Sequence, residues 1–352
     1  MKRAALGALA LLGVVALCGC GPVRYLGQAA LGQLNLLRVA RPIPEVLADP
    51  ATPPLVRTRL LRVQDVRAYA VSDLGLPDTR AFRSYADLGR PFLVWNVFDA
   101  PPFSVTLNTS CFPVVGCVPY RGYFSQAAAE QEAARLRGRG DDVSVGGVSA
   151  YSTLGRLPDP VPSTLLAQGE DELIRTIIHE LAHAVIYVPG DADFNESFAV
   201  AVETAGSARY RAARGLPPED RSAAQQRSTQ VNALLLSARD RLATVYAATQ
   251  PDAWKEGRKR QVLDAVRAEY AALKASWNGY AGYDPWFEDT PNGLNNALLG
   301  SVAAYADHVP AFLALLQRLG GDFPAFYAQV KHCGARPAAE RVPCLGLDSP
   351  NE

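Results

Sequence analysis

The chain carries no surplus of charge: among its 352 residues, 35 Lys and Arg stand against 35 Asp and Glu. Neither nucleic acid nor an anionic membrane surface therefore finds a basic attraction here. Long apolar runs are scarce as well. The one from Ala4 to Leu17 follows Lys2-Arg3. It is too short to span a bilayer as a helix and reads as a signal peptide. Cys111 and Cys117, like Cys333 and Cys344, lie close together without C-x-x-C spacing, which argues against a thiolate zinc site. No internal repeat or low-complexity tract occurs, and no clear linker divides the body. Histidine is scarce too, with four in the chain.

Two of the four histidines stand in His179-Glu180-Leu181-Ala182-His183, an H-E-x-x-H motif. Leu173, Ile174, Ile177, Ile178, Leu181, Val185 and Ile186 surround it at helical spacing, with Asp171 and Glu172 near the start. The pattern predicts one buried helix ended by Pro189-Gly190. Residues four apart share a helix face, so both imidazoles aim at a common point. A buried helix has little reason to carry two imidazoles and an acid unless something offsets their desolvation. One Zn²⁺ ion would do so, with Glu180 placed to act on a coordinated water.

Catalytic zinc takes three protein ligands and keeps one open position. A metzincin would need glycine and histidine where this chain has Ile186 and Pro189, so the third ligand is expected to be a carboxylate. The segment Asn195-Glu196 to Glu203 opens a second predicted helix, with Asn195 or Asp193 as its N-cap. Glu196 would face back toward the first helix, and Glu203 lies two turns along the same face.

H-E-L-A-H followed by N-E-S-F-A-x-x-x-E resembles the gluzincin metallopeptidases, and its second half looks like the N-E-G-F-A-x-x-x-E stretch of zinc aminopeptidases. The wider chain resembles a family of bacterial lipoproteins labelled predicted aminopeptidases. That likeness includes Ala40-Arg41-Pro42-Ile43, Cys111 to Cys117, Tyr120-Arg121-Gly122-Tyr123-Phe124 and Ala150 to Gly155. By motif position the resemblance makes His179, His183 and Glu196 the zinc ligands and Glu180 the general base. Glu203 would orient a ligand histidine, and Asn195 is grouped with it around the ligands. The interval from His183 to Glu196 is shorter than in the well-known zinc aminopeptidases, so loop 187–194 must turn tightly. The G-x-M-E-N segment that those enzymes use to hold a free amino terminus is absent. The resemblance implies a tyrosine or histidine donor for the oxyanion, with Tyr305 preferred over Tyr283, Tyr151 and His308. It also implies an edge strand for the peptide substrate, either 142–145 or, preferred here, 147–152.

Cys18-Gly19-Cys20 follows the signal run, and the residues before Cys20 match the lipobox of bacterial lipoproteins. Acylation of Cys20 would tether the chain to the envelope. Gly21, where aspartate would favour retention at the inner membrane, points to the periplasmic face of the outer membrane. Four cysteines remain in that oxidising compartment, with three pairings open; the local ones, Cys111–Cys117 and Cys333–Cys344, are favoured. The competing reading is a second zinc site, with His332 beside Cys333 in its favour.

The expected fold is α+β and mainly α: a gluzincin-like catalytic domain with a small sheet beside the H-E-x-x-H helix and a helical C-terminal part. Residues 1–19 form the signal peptide, 20–60 a helical lead, and 61–352 the metallopeptidase domain. A strand is read over Phe92–Val97, a helix over Gln126–Arg137, and an antiparallel helical hairpin over about 218–277. A stretch from Leu294 to Leu319 is interrupted at Pro310. Two other functions compete with a lipid-anchored zinc aminopeptidase. One is a non-catalytic zinc-containing envelope lipoprotein; the other is a hydrolase of peptidoglycan stem peptides.

Overall fold

The computed structural model describes residues 20–112, 116–150, 153, 155–302 and 308–346. Its architecture is α+β and mainly helical, as expected. The strands are short. Arg41–Pro42, Ser84–Ala86 and Val161–Pro162 form one sheet, with Ser84–Ala86 in the middle. A second, antiparallel sheet runs in the order Arg121–Tyr123, Val94–Ala100, Asp142–Val148. Ser110–Phe112 and Gly116–Val118 form a hairpin closed by a Cys111–Cys117 disulfide. The local pairing Cys333–Cys344 is present as well. Two disulfides therefore account for all four of these cysteines, and the second zinc site read around Cys333 is not formed.

The helix expected over Gln126–Arg137 has those bounds, because Ser125 caps it by accepting the Ala128 N–H. It packs on the second sheet, where Ala129, Ala133 and Leu136 meet Trp95, Val97 and Val143. Asp142–Val148 is one continuous edge strand. The substrate-edge strand preferred over 147–152 is therefore corrected: strand structure stops at Val148, and Tyr151 and Ser152 lie outside the described residues. The lead helix Cys20–Val39 lies across the opposite edge of this sheet. Its Tyr25 hydroxyl accepts the Gly122 N–H (3.2 Å), its Gln28 amide donates to the Gly122 carbonyl (3.0 Å), and the same side chain accepts the Phe124 N–H (3.4 Å). Leu26, Leu31 and Leu34 point outward instead. No helix among the described residues is long and apolar enough to cross a membrane.

Pro54–Ser72 forms one helix across position 60, started by Pro53 and Pro54. Both halves of the helical hairpin form, as Ser222–Ala247 and Asp252–Ser276, broken at Pro251. The stretch from Leu294 gives Asn296–Val302 and then Val309–Arg318, whose second residue is Pro310. A proline there loses no intrahelical bond. The largest core joins Pro54–Ser72, the two helices that carry the motif residues (Glu170–Ala182 and Ala192–Ala213), and the C-terminal helices Phe323–Gly334 and Ala338–Gly346.

Candidate metal centre

The first motif helix is Glu170–Ala182. Glu170, Asp171 and Glu172 fill its first turn, where the helix dipole favours acids. It buries Leu173, Ile174, Ile177, Ile178 and Leu181 completely or nearly so. It ends earlier than the sequence suggests. His183 is its C-cap, and Ala184 and Val185 tighten the end by donating to Leu181 and Ala182. The apolar run misleads because Val185 and Val188 remain buried after the helix stops, and burial by itself does not separate helix from turn.

From there the chain turns through Gly190, whose φ of +79° is a left-handed value that suits glycine. The second motif helix is Ala192–Ala213. Its N-cap is Asp191, whose carboxylate accepts the Phe194 N–H at 3.2 Å; the caps expected at Asn195 or Asp193 are corrected. Asn195 instead clamps the turn, accepting the Val188 N–H and donating to the Val188 carbonyl, both at 2.8 Å. Among the described residues it makes no hydrogen bond to either histidine. Arg341 of the last helix holds Asp191 at 2.5 Å, and the Cys333–Cys344 bond ties that helix to its neighbour. The two motif helices come close at Gly206, where an added Cβ would lie 2.8 Å from Leu74 and 3.2 Å from Ile178.

Between these helices His179, His183 and Glu196 converge. Their Nε2 atoms are 3.2 Å apart, and Glu196 oxygens lie 3.4 Å from His179 Nε2 and 3.7 Å from His183 Nε2. Each offers one donor atom, all within 4.8 Å of one another. Donors ~2.0–2.1 Å from a tetrahedral ion are themselves ~3.3 Å apart, so the spacing suits a small divalent cation. On the other side of the ring, His179 Nδ1–H donates to Glu203 at 3.1 Å, which leaves Nε2 aimed at the other two groups.

The electrostatics bear on the same point. Burial pulls the His179 pKa down, but hydrogen bonds to Glu196 and Glu203 and the charges of Glu180 and Glu196 outweigh it, pushing it up to about 10. Burial holds His183 at about 4, against the pull of Glu196. Burial also raises Glu196, yet the His179 hydrogen bond and both imidazoles bring it below the ordinary carboxylate range. With nothing else bound, then, a proton on His179 Nε2 sits at the centre of the three donors. His183 Nδ1 is buried and has no hydrogen-bond partner among the described residues. Glu180 is pushed up to about 7 by burial, the charge of His179 opposing.

The other candidates scatter. Tyr305 and Tyr151 lie outside the described residues. Tyr283 belongs to an aromatic group with Trp277, Tyr280 and Trp286 that follows the second helix of the hairpin. His308 sits beside the second motif helix, with Nε2 3.0 Å from Asp193 and its N–H donating to the Ser197 hydroxyl. One phenol escaped notice in the sequence. Burial and the charge of Glu196 push Tyr120 up to about 12, with Glu180 also in range, and its ring lies against Phe98 of the second sheet. Its signal was present in the Tyr120 to Phe124 stretch quoted for the family resemblance; among fourteen tyrosines nothing else set it apart.

Two successive helices of a mainly helical α+β chain thus press a pair of imidazoles against several carboxylates. Residues 24–345 match the family described as "Putative aminopeptidase". The chain belongs to that family, which supports a peptidase role. No curated protein and no solved structure matches it.

Proposed function

We propose that the chain is a zinc-dependent aminopeptidase of gluzincin type, tethered through a lipid on Cys20 to the periplasmic face of the outer membrane. The convergence of His179, His183 and Glu196 at near-tetrahedral spacing carries the metal part of this reading. The family description supports the peptidase part. The anchor is supported by the lipobox before Cys20 alone.

The donor set fits the ion: two imidazole nitrogens and a carboxylate match zinc's preference, and three protein ligands leave a position open. A divalent cation held there supplies Lewis acidity toward a peptide carbonyl and makes a water easier to deprotonate. The chain's own residues do the rest. Glu203 fixes the His179 ring through Nδ1, so the lone pair of Nε2 faces the site. Glu180, with a pKa near neutrality before any cation is bound, accepts a proton from water and returns it to the departing amine. Tyr305, expected from the resemblance as donor to the carbonyl oxygen, lies outside the described residues; Tyr120, buried within the electrostatic range of Glu196 and Glu180, is a further candidate for that role.

The test is metal analysis of the purified protein with a digest of a peptide library. One zinc per chain and release of single amino-terminal residues are expected. In Glu180→Gln the zinc stays, and hydrolysis falls by ~10²–10⁴-fold, the usual worth of a general base. Internal cuts would overturn the aminopeptidase assignment, and unchanged turnover in the variant would remove Glu180 from the mechanism.

A further inference from the structure

The first motif helix buries a cation that the mechanism does not use. Arg175 is 7% exposed, on the same helix as the nearly inaccessible Leu173, Ile174, Ile177, Ile178 and Leu181. It lies one turn before His179 on the same face. Its guanidinium meets three carboxylates from three parts of the chain. Glu172 belongs to its own helix and Glu219 to the segment after the second motif helix. Glu203 is the third, with Oε1 3.4 Å from Arg175 Nε. The other oxygen of Glu203 accepts the Nδ1–H of His179 at 3.1 Å.

Glu203 is thus a bridge with one oxygen on the guanidinium and the other on the imidazole. Rotating the carboxylate away from either partner would break one of these two part-buried contacts, so each partner fixes the orientation that the other sees. Arg221 joins the edge of the group, 3.7 Å from Glu219 and 4.0 Å from Glu203. Three carboxylates face two guanidinium groups, so the cluster carries one negative charge in excess. Of the three acids only Glu203 also reaches His179. Neutralising a stray arginine needs only one acid.

We propose that Arg175 is a positioning residue for the metal centre: it locks Glu203, Glu203 aims His179, and the affinity for zinc follows from that chain of contacts. The inference rests on the zinc reading given above.

The test uses the full chain and zinc itself, with dissociation constants from chelator competition. Arg175→Met is expected to weaken zinc binding by ~10–100-fold, the usual effect of losing a group that orients a ligand. Arg175→Lys, which keeps the charge but not the planar fork, should recover part of the loss. Glu203→Gln alone should weaken binding, and Arg175→Met with Glu203→Gln should be no weaker than that, because both act through one carboxylate. A purely structural arginine would instead give losses that multiply. Parent-like affinity in Arg175→Met, or multiplying losses, overturns the inference while leaving the zinc reading intact. A parent chain that binds no zinc overturns both. If Arg175→Met fails to fold by circular dichroism, Arg175→Lys decides: affinity between parent and Glu203→Gln supports the inference, and parent-like affinity overturns it.

Discussion

Zinc binding to this protein should depend on pH well into the alkaline range. Without a cation, His179 holds its proton up to about 10, because Glu196 and Glu203 both accept from its ring. The proton on Nε2 occupies the place where an ion would sit, so each zinc bound must expel it. The sign follows directly: lowering the pH strengthens the competing proton and weakens the metal. One proton expelled per ion changes the apparent dissociation constant by ~tenfold per pH unit, or ~1.4 kcal/mol. From about pH 7 to about pH 9 the affinity should therefore rise by ~100-fold. A histidine at its ordinary value of 6.5 would already have lost its proton over that range, and its curve would be flat. Chelator competition at several pH values, corrected for the chelator's own protons, measures the slope. Calorimetry in two buffers of different ionisation enthalpy counts the protons. A flat affinity with no proton released would refute the argument that two carboxylates hold His179 charged. The metal-free fold has a matching signature. The stabilisation from the His179 proton is complete below about 6.5 and disappears as pH rises through about 10. His183 works at the other end, its contribution being lost as pH falls through about 4.

Two further outcomes concern the scaffold. Gly206→Leu would drive a side chain into Leu74 and Ile178 where the motif helices meet; destabilisation of ~1–3 kcal/mol is expected from overpacking. Thermal melts read it, and an unchanged midpoint would mean the helices part without strain. Cys344→Ser removes the bond to Cys333 and should cost ~2–4 kcal/mol of stability in denaturant titration. Equal midpoints for variant and parent would show that packing alone secures the last helix.

The H-E-x-x-H helix and its apolar face were legible because a 3.6-residue period is a strong signal over thirteen residues. The facing of Glu196 and Glu203 was legible for the same reason, since seven residues is two turns. The strands were harder. Most are two or three residues long, too short to show alternation, and their pairing is set by partners far along the chain. Helix ends were misread where a cap came from a residue outside the apolar pattern, as at Asp191. Arg175 illustrates a different gap. An arginine near a helix start reads as surface charge until the acids that bury it, one of them forty-four residues away, are brought together by the fold.

The outward leucines of the lead helix and its inward Tyr25 and Gln28 constrain how the protein can be handled. Trimming the chain after Val39 would discard the greasy exterior, yet it would also strip the strand Arg121–Tyr123 of the hydrogen-bonding partners at Gly122 and Phe124. An uncovered strand of that kind recruits other chains. A truncation meant to improve solubility should therefore promote self-association.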